Sequence, residues 1–279
     1  MTDTAQQQKK TLLMTEGSIW KSILLFSVPL ILGNMLQQLY NTADSIIVGN
    51  FVGTQALAAV GSTSALINVF TNLFIGISLG ANVIAARFYA AGRDKEMSET
   101  VHTAISLALI SGIVMGIVGI VFSHGALQLM GTPSDVIDLS TLYMRIYFIG
   151  MPFFMLYNYG AAILRAVGDT KRPLMFLIIS GVVNAALNLT LVIGAHLGVA
   201  GVAIGTVVSQ CLSCILVLRC LYRIEGSYQL RFSKLCIKGV YVKQIFQVGI
   251  PAGLQSMGIK SGWEVQFSVC NCCCWCLPV

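Results

Sequence analysis

A chain of 279 residues that is 56% hydrophobic and only 10% charged cannot cover itself as a water-soluble globule, since soluble domains carry roughly 25% charged residues. Its mean hydropathy of +0.80 requires that much of its surface face lipid. The net charge of +6 is spread beside the ends of apolar segments and forms no single patch, which argues against a nucleic-acid partner.

The first 18 residues are polar and read as a cytoplasmic tail, with no pattern of a cleaved signal. Six apolar segments follow, at about 19–48, 54–86, 101–122, 140–164, 174–193 and 198–221. Each reaches the ~20 residues that a crossing needs. The first two are longer than that, which tilt, kinking or extension beyond the bilayer would explain. Lys9, Lys10 and Lys21 precede the first segment; Arg87, Arg93 and Lys95 follow the second; Arg165, Lys171 and Arg172 follow the fourth. No Lys or Arg follows the first, third or fifth. The positive-inside rule then places the N-terminus in the cytoplasm; the chain is expected to be a multi-pass protein of the plasma membrane. Glycine pairs at Gly76/Gly80, Gly112/Gly116 and Gly201/Gly205 have the spacing that lets helices approach closely in lipid. The fold class read from the sequence is therefore all-α, a polytopic membrane helix bundle with a six-helix lobe over 19–221.

A basic stretch, 222–240, reads as a cytoplasmic linker. Beyond it the chain repeats itself. Lys243, Ile245, Pro251, Leu254 and Met257 fall at the same offset as Lys21, Ile23, Pro29, Leu32 and Met35, so residues 241–257 read as the start of a second, parallel lobe. The last stretch, 258–279, breaks the pattern and holds Cys270, Cys272, Cys273, Cys274 and Cys276. Adjacent cysteines do not supply the paired spacing of a structural zinc site, and no metal is expected there. The stretch reads as sequence outside the natural frame or as the result of truncation.

Asp44 is the one carboxylate inside the six apolar segments. A carboxylate at hydrocarbon depth costs several kcal/mol unless it is paired, hydrated or protonated, and such residues mark ion and proton paths. Gln37, Asn41 and Asp44 are spaced i, i+4, i+7 and share a helix face. Pro29, two turns earlier, should bend that helix. Further polar rows run through Ser64, Asn68, Thr71 and Asn72, through Ser180, Asn184 and Asn188, and through Thr206, Ser209, Gln210 and Ser213. Their amide and hydroxyl oxygens can share a proton with a carboxylate or coordinate Na⁺; helix packing alone also explains many such residues. Gln37, Asn41 and Asn68 are candidates to line a cavity. Arg145 lies about one turn inside the fourth segment, where it either snorkels to the headgroups, the preferred reading, or approaches Asp44. His102, His124 and His196 sit at segment ends with no evident ligand set. No P-loop, nucleophile elbow or metalloprotease helix occurs, so the chain is not expected to be an enzyme, to hydrolyse ATP or to hold a cofactor.

Several of these residues resemble the MATE (multidrug and toxic compound extrusion) family: Pro29, Tyr40-Asn-Thr-Ala-Asp44, Leu57-Ala-Ala-Val-Gly61, the run from Arg165 to Pro173, and the run from Gly198 to Thr206. The resemblance covers about residues 14–257. It implies a twelve-helix antiporter of two six-helix lobes, here one lobe plus part of helix 7, that exchanges H⁺ or Na⁺ for cationic or amphipathic compounds. It also implies that Asp44 binds the coupling cation, with Asn184, Asn188 and Thr206 completing the site. The compound path would run between lobes, so this chain is not expected to transport alone. Two other readings stand beside it: a lipid-linked oligosaccharide flippase of the same broad fold, and a non-transporting membrane fragment.

Overall fold

The computed structural model describes residues 19–224, 226–231, 233 and 235–255. The N-terminal tail 1–18, the end of the repeat at 256–257 and the cysteine-rich stretch 258–279 fall outside these residues.

The described residues form an antiparallel helix bundle: α1 (Ile19–Phe51), α2 (Thr54–Ala90), α3 (Asp94–Leu129), α4 (Ile137–Ile149), α5 (Met151–Ala166), α6 (Lys171–Leu189), a π-helical turn (Thr190–Gly194) and α7 (Gly198–Arg223). A last helix, α8, runs over 239–255. By length and hydropathy α2, α3, α7 and α6 with its π turn each qualify as a span, and α4 with α5 qualify as one bent span. At 33 residues and 1.5 Å rise per residue, α1 is about 50 Å long, also more than the ~30 Å of hydrocarbon.

The fourth apolar segment, read as one crossing over 140–164, is a bent pair of helices. It breaks at Gly150 and turns by 47° between α4 and α5. Pro152 sits in the first turn of α5, where its missing N–H goes unmissed, and its ring keeps α4 from continuing straight. The bend is seated on the glycines of α3. A Cβ at Gly112 would stand 2.6 Å from Pro152 Cα, one at Gly116 would stand 3.0 Å from the Phe148 carbonyl oxygen, and one at Gly119 would overlap the Phe148 ring. In contrast α1 runs unbroken through Pro29.

The main core joins α2, α3, α4, α5, α7 and α8 through fully buried Met97, Met144, Phe148, Met155, Tyr159, Ile163 and Ile245. A smaller apolar cluster of Ile47, Val48, Val60, Val192 and Val202 ties α1, α2, the π turn and α7 at the opposite end. Large apolar side chains such as Leu39, Val121, Phe122 and Val182 remain exposed, as lipid-facing positions should.

The basic linker and α8 are built into the lobe. The Arg231 backbone N–H donates to His102 Nε2 at 3.1 Å, while His102 Nδ1 lies 2.6 Å from the Ser98 carbonyl oxygen. Lys238 pairs with Glu99 at 2.5 Å, and the Tyr241 hydroxyl donates to the other Glu99 oxygen at 2.8 Å. Farther along, α8 crosses α2 backbone against backbone. A Cβ on Gly76 would overlap Gly253, and one on Gly249 would stand 2.6 Å from Ile77 Cα. Packing rather than charge should carry this docking. Ile245→Ala, in a side chain with 0% exposure, should cost roughly 2–5 kcal/mol, whereas Lys238→Ala, which removes a half-exposed ion pair, should cost under ~1 kcal/mol. Unfolding midpoints of the two variants check the order.

Candidate functional site

Asp44 lies two turns before the end of α1, about 10 Å along the helix from Phe51. Its side chain is half-buried and stands between two polar regions of different character.

On one side is a cavity of about 670 Å³ between α1, α2, α4 and α5. Gln37, Asn41 and Asp44 line it from α1, as their spacing predicts, and Ser64, Asn68, Thr71 and Asn72 line it from α2. The apolar share of the wall comes from Val60, Ile67, Ile75 and Phe154. Tyr143 and Tyr147, stacked with centroids 6.3 Å apart, complete it from α4. No pattern in the sequence marks these two tyrosines. They lie one turn apart in a helix whose start lies among apolar and polar residues alike, and only the bend at Gly150 shows which way they face.

On the other side is a buried cluster on α6 and α7. Asn188 Nδ2 donates to Asp44 Oδ1 at 2.6 Å and to Asn184 Oδ1 at 3.3 Å. Asn184 Nδ2 in turn reaches Thr206 Oγ1 at 3.5 Å and Ser209 Oγ at 3.4 Å. Both hydroxyls donate to backbone carbonyls of α7, Thr206 to Val202 at 3.0 Å and Ser209 to Thr206 at 2.8 Å. The donors of the cluster are thus committed, while Asn188 Oδ1 is buried with no hydrogen-bond partner among the described residues. A carboxylate flanked by amide and hydroxyl oxygens is the ligand chemistry of a hard cation or a shared proton.

The four residues Asp44, Asn184, Asn188 and Thr206 are therefore brought together by three helices. Their meeting depends on how α1 sits on α6, and one of the contacts that seat it is the Tyr40 hydroxyl, which donates to the Leu177 carbonyl oxygen at 3.1 Å. A Cβ at Gly181 would overlap the Tyr40 ring, so the glycine makes the seat. Tyr40 belongs to the same motif as Asp44, but its role as an anchor between helices was not legible from it. Other polar residues do not join the site. Ser180 bonds within its own helix to Leu177 at 3.0 Å. Arg145 is exposed on α4 and reaches Ser123 of α3 at 3.4 Å, away from Asp44. His124 lies between Thr141 at 3.4 Å and Gln128 at 3.0 Å.

The family model described as MatE matches residues 29–190, from Pro29 to the end of the helix that carries Asn184 and Asn188. The chain belongs to the MatE family. It is 34% identical over 263 residues to the probable multidrug resistance protein YoeA of Bacillus subtilis, covering 90% of this chain and 56% of that protein. It is 32% identical over 258 residues to the probable multidrug resistance protein YpnP of the same organism, covering 92% and 57%. Among solved structures, a MATE protein in the bent conformation superposes with a TM-score of 0.84 at 24% identity, over 91% of this chain and 57% of that one; that likeness speaks to the fold. The chain thus spans about half the length of the MatE relatives it matches. Membership in the MatE family, together with several membrane-length helices, makes it a multi-pass membrane protein of a multidrug transporter family.

Proposed function

We propose that this chain supplies the cation-coupling half of an antiporter that exports cationic or amphipathic compounds. The 2.6 Å bond from Asn188 to Asp44 carries the reading. It holds a membrane carboxylate at the wall of a polar cavity and, at the same time, against a cluster of buried oxygens. Asp44 takes up H⁺ or Na⁺, with Asn184, Asn188 and Thr206 as its other partners. Binding neutralises the carboxylate and weakens its attraction for a cationic compound in the cavity, so the two cargoes compete. Only a differential interaction of this kind can bias a conformational equilibrium. The cavity wall suits such a compound: one carboxylate, amides from α1 and α2, and the faces of Tyr143 and Tyr147, which attract cations at roughly 0.5–2 kcal/mol per contact. Pro29 leaves α1 short of one backbone bond, so this helix is the element proposed to bend as Asp44 changes state.

The orientation follows from charge. Arg87, Arg165, Arg172 and Arg223 lie at the bundle end opposite Asp44, which we place in the cytoplasm, with the protein in the plasma membrane. The test is dye efflux from proteoliposomes by a form in which a second lobe follows residue 257, driven by an imposed Na⁺ or pH gradient. Efflux under one gradient and not the other names the ion. Efflux that is indifferent to both defeats the coupling role.

A further inference from the structure

Gly205 precedes Thr206 on α7 and belongs to a glycine pair whose spacing suggests nothing beyond helix packing. Its partner in that pair behaves so: a Cβ on Gly201 would stand 3.2 Å from Leu191 Cβ, a tight aliphatic contact. Gly205 differs. A Cβ there would overlap Asn188 Oδ1 and stand 3.1 Å from the amide carbon. Asn188 has 0% exposure and cannot swing out to water. Its two N–H groups are committed to Asp44 and Asn184. With the amide plane set by those bonds, the oxygen must point the other way, into α7, where it finds no hydrogen-bond partner among the described residues. The missing side chain at 205 is what leaves room for it.

We propose that Gly205 is a positioning residue of the cation site: the gap at its Cα keeps the Asn188 amide turned so that its N–H groups face Asp44. The inference rests on the reading of Asp44 and Asn188 as parts of that site. Alanine at 205 forces the Asn188 side chain to rotate, and the first bond lost is the one to Asp44. The local preference of the helix runs the other way, since alanine is favoured over glycine in a helix interior. A loss on Gly205→Ala therefore reports the collision and not the helix.

The test uses the full chain, purified in detergent, with Asp44→Asn, Asn188→Ala, Gly205→Ala and the double variant Asn188→Ala/Gly205→Ala. Infrared spectra are compared after subtraction of the Asp44→Asn spectrum, which isolates the carboxyl band of Asp44. Asn188→Ala should shift that band by removing its donor. Gly205→Ala should shift it in the same direction, and the double variant should show no further shift. The double variant should also unfold at a higher temperature than Gly205→Ala alone, because truncating Asn188 makes space for the new methyl group. If Gly205→Ala by itself does not fold, recovery of folding in the double variant supports the proposal, and failure of both overturns it. A Gly205→Ala band at the wild-type position, beside a shifted Asn188→Ala band, also overturns it and leaves the reading of Asp44 intact. If Asn188→Ala leaves the band unmoved, the bond between Asn188 and Asp44 is absent, and the site itself is misread.

Discussion

Asp44→Asn is expected to abolish cation-driven export while leaving the protein folded. The substitution keeps the shape of the side chain and an oxygen that can still accept from Asn188 Nδ2. It removes the carboxylate that Asn188 contacts, and with it the full negative charge that would hold a proton or a metal cation at that point. Interactions with a charged group contribute roughly 1.5–3 kcal/mol, and each 1.4 kcal/mol is about tenfold in affinity, so cation binding should fall by ~10–100-fold. Stability should not fall with it, because an ionised carboxylate in the membrane is itself costly and the amide removes that cost. The measurement is dye efflux by the two-lobe form under the gradient that drives the unsubstituted protein, with the yield of folded protein recorded alongside. Export at the unsubstituted rate would mean that Asp44 is an interfacial carboxylate with no part in exchange.

Gly76→Leu should have the largest structural effect of any single change in the described bundle. The atom its Cβ would strike is Gly253 Cα, and a Cβ on the neighbouring Gly80 would overlap the Ile245 carbonyl oxygen and stand 2.9 Å from Gly249 N. These are backbone atoms of a packed helix, so no rotamer change relieves the clash. Overpacking commonly costs 1–3 kcal/mol where side chains can yield; here α8 must leave α2 altogether. Release of α8 should open Tyr241 and Ile245, which are buried in the folded lobe, to protease and lower the unfolding midpoint. Gly61→Ala is the control. Nothing stands within 4 Å of a Cβ at that position, and the gain in helix preference of up to about 1 kcal/mol should leave stability unchanged or raised. Equal protease resistance in the Gly76→Leu variant and the unsubstituted chain would show that α8 is not docked by this crossing.

Much of the lobe was legible in the sequence because its signals are local. Hydropathy marked the apolar segments, and the basic residues marked one end. The periodicity of α1 and α2 put Gln37, Asn41, Asp44 and Asn68 on faces that do line one cavity. The break between α4 and α5 was not foreseen, although Gly150 and Pro152 stand in plain view. Proline is tolerated in membrane helices when neighbours satisfy the freed carbonyls, so it does not say whether a helix bends. Helix α1 continues through Pro29 whereas the chain breaks beside Pro152, so the residue type alone does not decide.

The role of the glycines was the other gap. Three pairs with one spacing suggested a single function. In the fold, one seats a proline bend, one brings α8 onto α2, and the third splits its work between Leu191 and Asn188. A missing side chain carries no chemistry of its own, so its meaning lies in whatever fills the space.

What the sequence determined by itself was the medium and the actors: a chain too poor in charge for water, crossing the bilayer repeatedly, with one acid among its apolar spans. Which groups surround that acid was left to the tertiary structure. Asp44 and Asn188 lie far apart along the chain and meet where Tyr40 fits against Gly181 and where no side chain projects from Gly205. Such fits are properties of two surfaces in contact, and neither surface spells out the other.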